Sequence, residues 1–155
     1  MRTDPRCERL GQLSAELSRL QLRLREKFLA QECMALSLPE SLCHGDYLFL
    51  NEVSEAGCAV MAEIAKRLEI NPSTATRRVS RMLVCGLVTK QTSCEDERRF
   101  EICLTDKGRE LLERMDQHRL EASRRVYEGI TEREMQAVYD CLEREITALK
   151  KLNEE

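Results

Sequence analysis

The 155-residue chain is long enough for one domain with a buried core. Its 42% hydrophobic and 34% charged residues fit a helix-rich globular protein, and 4% aromatics without Trp leave the core to Leu, Ile, Val, Met and Ala. A formal net charge of −3 excludes attraction of polyanions by overall charge, yet residues 65–91 hold six cations (Lys66, Arg67, Arg77, Arg78, Arg81, Lys90) against one anion, Glu69. No apolar run reaches the length of a membrane span, and the opening MRTDPRCERL lacks the apolar centre of a secretory leader. These features predict a cytoplasmic protein with no membrane partner. Its eight cysteines (Cys7, Cys33, Cys43, Cys58, Cys85, Cys94, Cys103, Cys141) are then expected as reduced thiols. None of them forms a CxxC pair, so the common zinc-finger and thioredoxin spacings are absent.

Taken in order, residues 7–27 carry Leu10, Leu13, Leu17, Leu20 and Leu24 at spacings of 3, 4, 3 and 4. That is a heptad stripe on a helix, suited to packing against a helix of a second chain. Leu38-Pro39-Glu40 ends the region, because proline does not continue a helix interior. A second helix is expected from about Gly45 to Ala56, with Tyr47, Leu48, Leu50 and Val53 as its apolar side and Gly57 as its stop. A third is expected over 61–68, packing through Ala62, Ile64, Ala65 and Leu68.

Asn71 is a good N-cap and Pro72 a good first residue, so a fourth helix starts there. Ala75, Val79, Met82 and Leu83 are expected to face inward. Ser73, Thr74, Thr76, Arg77, Arg78 and Arg81 are expected outward, as groups that contact phosphates and base edges. Gly86 closes the helix. Two strands follow, over 87–91 and 100–104. In the second, Phe100, Ile102 and Leu104 alternate with Arg99, Glu101 and Cys103, a half-buried pattern. The loop between them contains Asp96, Arg98 and Arg99. Asp96 is placed to brace Arg98 for a minor groove, and a solvated charged loop is the equal alternative on the loop's residues alone. Thr105 caps a fifth helix bearing Leu111, Leu112, Met115 and Leu120, which runs to about Glu128 before Gly129. Thr131 begins a sixth with Met135, Val138, Leu142, Ile146, Leu149 and Leu152, a further stripe able to pair with the Leu seam of the first helix.

Helix, turn, helix and two strands make a winged helix-turn-helix. The segment AEIAKRLEINPSTATRRVSRM, the run CGLVTK and the run EDERRFEICLTDKG together resemble the MarR (multiple-antibiotic-resistance regulator) family of transcription regulators. Asp96 and Arg98 fall on that family's Asp-x-Arg wing motif, and Leu104, Thr105 and Gly108 on its Leu-Thr-x-x-Gly. The resemblance implies a mainly α fold with a small β-wing, as one domain over 1–155. Residues 45–104 would be the DNA-binding region, and 5–38 with 105–152 the dimerisation helices. It implies a homodimer that places two fourth helices in successive major grooves of a pseudo-palindromic operator, roughly 34–36 Å apart. It also implies Arg98 in the minor groove, and repression released by a small-molecule effector. Three departures stand out: Val60 where a capping Ser or Thr is usual, Leu42-Cys43-His44-Gly45-Asp46 in place of Leu-Thr-x-x-Gln, and no cysteine over 15–27 where peroxide-sensing relatives carry one.

Other functions are weaker on the residues. Cys33, Cys43, His44 and His118 have ligand chemistry for a metal-responsive regulator but match no spacing motif, and no cofactor is expected. Cys94 sits beside Glu95 and Asp96, which disfavour a thiolate, and Cys103 and Cys141 read as small packing residues. No phosphate loop, paired metal-binding motif or nucleophile with an evident base points to an enzyme. The rival of another class is a winged helix whose arginines meet an acidic protein.

Overall fold

The computed structural model describes residues 4–92 and 100–154. In chain order the elements are α1 (Pro5–Ala35), α2 (His44–Ala56), β1 (Cys58–Val60), α3 (Met61–Arg67), α4 (Pro72–Val84), β2 (Val88–Thr92), β3 (Phe100–Leu104), α5 (Asp106–Val126) and α6 (Glu132–Glu154). The chain divides into two compact units after His118. The first holds a three-stranded antiparallel sheet in the order β1-β3-β2. The fold is mainly helical with a small sheet, as expected.

Capping chemistry explains the helix starts. Asp4 accepts the Arg6 N–H ahead of Pro5, and the Asn71 side chain accepts the Thr74 N–H ahead of Pro72. Thr131 and Glu134 form a capping box at α6, the Glu134 carboxylate accepting the Thr131 N–H at 2.8 Å. Val60 stands before α3 with no side-chain cap, as its apolar side chain dictates.

The core of the first unit combines Leu29 of α1, Phe49, Leu50 and Val53 of α2, Ile64 and Ala65 of α3, Ala75, Val79 and Met82 of α4, Ile102 and Leu104 of β3, and Leu111 and Met115 of α5. Several apolar residues expected inside lie outside. In α2 the buried stripe is Asp46, Phe49, Leu50 and Val53, with Leu48 exposed. A polar residue at the head of that stripe hides its true phase. Ala62 and Leu83 are exposed because they sit at the flanks of their helices' buried faces, and Leu120 lies beyond the last buried turn of α5. Phe100 shares a sheet face with Ile102 and Leu104 but is half exposed at the far end of β3, where the Lys90 ammonium covers its ring at 3.9 Å.

Two features were not read from the sequence. β1 is only three residues long, too short for alternation to show. Cys103 is buried, but not as a free thiol: it lies opposite Cys58 in the β1–β3 register and is disulfide-bonded to it. The expectation of eight reduced thiols is corrected at this pair.

The Leu seam of α1 is uncovered, with Leu10, Leu13, Leu17, Leu20 and Leu24 between 39% and 70% exposed. On α6, Leu142, Ile146, Leu149 and Leu152 are exposed as well. Leucines in register on an open helix face are the pattern by which helices pack on one another.

The turn into α5 is tied by Thr105. Its N–H donates to the Leu87 carbonyl, its hydroxyl donates to the Gly86 carbonyl at 2.7 Å, and its oxygen accepts the Gly108 N–H at 3.1 Å. A Cβ on Gly108 would collide with the Leu87 carbonyl oxygen, a backbone atom with no room to retreat. Gly108→Ala is therefore expected to destabilise the protein by about 1–3 kcal/mol, read from the midpoint of urea unfolding. An unchanged midpoint would show that this contact does not set the approach of α5 to the sheet.

Candidate nucleic-acid interface

The face that α4 leaves open follows from its buried residues. At 100° per residue, Ala75, Val79 and Met82 define one side, Ser73, Arg77 and Ser80 fall opposite it, and Thr76 lies on the adjoining flank. All four are exposed. Local bonds hold three of them: Ser73 donates to Asn71 Oδ1 at 2.7 Å, Thr76 to the Pro72 carbonyl at 2.9 Å, and Ser80 to the Thr76 carbonyl at 2.9 Å. Arg77 has no partner among the described residues, so its guanidinium is available to a ligand. Ser80 was missed in the sequence, although its spacing of 3 from Arg77 and 4 from Thr76 puts it on the same face.

Arg78 and Arg81 were expected to point away, and the structure corrects this. They stand on the flank of α4 that faces α2 and turn toward it. Arg81 Nη1 lies 2.7 Å from Asp46 Oδ2, and Arg81 Nε lies 3.5 Å from Glu40. Arg78 donates to the Gly45 carbonyl and holds a longer, 4.0 Å charge contact with Asp46 Oδ1. Asp46 is fully buried and also accepts the Cys43 N–H at 3.0 Å. The Asp46 carboxylate raises the Arg81 guanidinium above its ordinary pKa, keeping it charged. Thr74 is only half exposed, its N–H committed to the Asn71 cap.

Asp46 is thus a site residue that sequence reasoning passed over as a mere departure from Leu-Thr-x-x-Gln. Its signal was present. An acid three residues into a helix answers the N-cap backbone, and Arg78 and Arg81, one turn apart, offer it two cations. Elsewhere, Arg67 pairs with Glu52 at 3.6 Å, so three of the six cations of the stretch 65–91 are paired with carboxylates within the fold, and Arg77 is the arginine of α4 left open.

Asp96, Arg98, Arg99 and Cys94 lie outside the described residues. The four metal candidates are not gathered into a ligand set, and no group of three or more possible ligands occurs among the described residues. His118 stacks on Phe28 with centroids 4.4 Å apart and bonds to Glu32 at 2.6 Å, where Arg114 adds a 3.3 Å pair. Burial, and then the charge of Arg25, lowers the pKa of His44. Burial raises the Cys33 thiol. Cys43 is exposed at the start of α2.

Two substitutions separate the roles of these arginines. Arg81→Ala leaves Asp46 buried with one cation fewer and is expected to cost about 1.5–3 kcal/mol of folding stability. Arg77→Ala touches nothing in the fold and is expected to stay within about 0.5 kcal/mol of the parent. Chemical denaturation of the two variants side by side checks this, and equal losses would contradict the assignment.

Comparison with known proteins places this segment and fold among transcription regulators' relatives in sequence and shape. Residues 43–100 match the MarR family. Over 91 residues the chain is 33% identical to the transcriptional repressor IacR of Pseudomonas putida, covering 59% of this chain and 54% of that one. The chain spans about half the length of the curated relatives it matches. In fold it is similar to RV1404 from Mycobacterium tuberculosis (TM-score 0.76, 22% identity, 99% and 97% of the two chains). It is also similar to a mutant MarR from E. coli complexed with operator DNA (TM-score 0.63, 20% identity, 92% and 98%). The matched segment 43–100 contains Asp46, α4 and the start of β3.

Proposed function

We propose that this chain is a sequence-specific DNA-binding transcription regulator, most simply a repressor, that works as a homodimer on a pseudo-palindromic operator. The observation that carries the reading is the open face of α4. Ser73, Thr76, Arg77 and Ser80 form a small, polar, singly cationic strip along the exposed side of the helix. Such a strip fits a major groove, with the hydroxyls on phosphates and Arg77 shaped for a guanine edge. Arg78 and Arg81 serve by fixing the angle of α4 on α2.

The uncovered seams of α1 and α6 support the dimer, because two copies pairing through them bury leucines that one copy leaves in water. The similar E. coli protein is complexed with operator DNA, and the Pseudomonas putida relative is a transcriptional repressor, which supports the same reading here. Insertion of Arg98, braced by Asp96 and flanked by Arg99, into the minor groove is carried over from the family resemblance, as is release by a small-molecule effector. A regulator of this kind performs no chemistry on its ligand and works in the cytoplasm. Among the described residues no helix is long and apolar enough to cross a membrane.

Selection of duplexes from a random pool supplies the DNA for testing. Arg77→Ala is expected to lower affinity for the selected duplex by about 1–3 kcal/mol and to relax preference at one base position. Parent affinity should fall with salt at a log–log slope of about −0.9 per phosphate neutralised. An unselective, salt-insensitive protein would favour the acidic-protein partner. The double variant Leu17→Glu, Leu20→Glu is expected to sediment as a monomer and to lose most of its DNA affinity. A dimer that survives these charges would place the interface elsewhere.

A further inference from the structure

We propose that Cys58 and Cys103 form a reversible thiol–disulfide site that controls how firmly the DNA-reading segment is held. Three observations carry it. The two cysteines face each other across β1 and β3 with Cα atoms 4.4 Å apart, so no rearrangement is needed to join or part them. Their accessibility differs: Cys58 is half buried and reachable, whereas Cys103 is 7% exposed. The Gln91 side-chain amide lies 3.3 Å from the Cys58 sulfur and 2.9 Å from that of Cys103, an N–H donor suited to the anionic sulfur through which exchange passes.

The remaining described cysteines are poorly arranged for the same chemistry. Cys33 and Cys85 are buried, and burial raises both thiols. Cys7, Cys43 and Cys141 are exposed but lie on separate elements. This inference rests on the regulator reading above, because a disulfide inside a cytoplasmic protein is characteristically a transient, redox-responsive one.

The chemistry closes with a peroxide as oxidant. The Cys58 thiolate attacks one oxygen of hydrogen peroxide, the O–O bond breaks, and hydroxide leaves, giving a sulfenic acid. The Cys103 sulfur then attacks the Cys58 sulfur, the S–S bond forms, and the sulfenic oxygen leaves as water once protonated. Two thiols and one peroxide become one disulfide and two waters. A thiol reductant reverses the step, leaving as its own disulfide.

The bond spans 45 residues, and α3, α4, β2 and the wing all lie inside that loop. Closed, it pins the residue that enters β1 to the strand that ends the wing, so α3 and α4 start from a fixed root. Open, β1 is held by a three-residue ladder. The oxidised form is therefore the tighter DNA binder, through preorganisation.

The test uses the full chain, either reduced with dithiothreitol or treated with stoichiometric hydrogen peroxide, together with a duplex selected from a random pool. Alkylation and peptide mass mapping should find the 58–103 crosslink only after peroxide, with Cys33 and Cys85 still alkylated as thiols. Oxidation should raise the melting midpoint by roughly 5–15 °C and tighten DNA binding by about fivefold or more. Cys58→Ser, at the more accessible position, should abolish both changes while binding DNA like the reduced parent. The proposal is overturned if the crosslink does not form, if affinity is the same in both states, or if Cys58→Ser still responds to peroxide. Should neither state retain any duplex, the DNA reading is what fails, and the mapped crosslink with its thermal shift still decides whether the site exists.

Discussion

A carboxylate buried at the start of α2 must be neutralised from somewhere, and Asp46 takes its charge partners from α4. A lone carboxylate in such a place costs several kcal/mol, so the fold is stable only when Arg81 and Arg78 reach back across the helix pair. The strongest contact, 2.7 Å between Arg81 and Asp46, connects residues 35 positions apart in the chain. It fixes the rotation of α4 about its own axis. Everything that α4 can offer a ligand is what remains after that rotation is set.

What remains is modest in charge. A stretch that looks strongly cationic in one dimension spends two arginines on Asp46 and a third on Glu52. The outward strip then carries Arg77 among three hydroxyls. On the proposed reading, such a face would distinguish base edges better than it attracts phosphate, because a single guanidinium among short polar groups has few productive poses. On that reading, long-range attraction would come from other cations, and a dimer would present two such strips to one duplex.

The elements were legible where local chemistry speaks alone. Asn71-Pro72 announces α4, Gly57 and Gly86 close their helices, and the alternation after residue 99 gives β3 its correct bounds. The seams of α1 and α6 were legible because a heptad repeats often enough to be seen. Partnerships between distant residues were not. The inward turn of Arg78 and Arg81 depends on Asp46, and charge counting treats a paired arginine like a free one. The bond between Cys58 and Cys103 depends on the register of a three-residue strand that no periodicity reveals. Phe49 was hidden because the buried stripe of α2 opens on an acid rather than an apolar residue.

The central claim is that α4 divides its arginines, Arg77 for the ligand and Arg81 for the fold. Arginine Nε–H resonances followed by NMR during titration with a selected duplex test that division on the intact protein. The account requires the Arg77 signal to shift on binding while the Arg81 signal, locked on Asp46, stays where it is. A shift at Arg81 with Arg77 unmoved would contradict it.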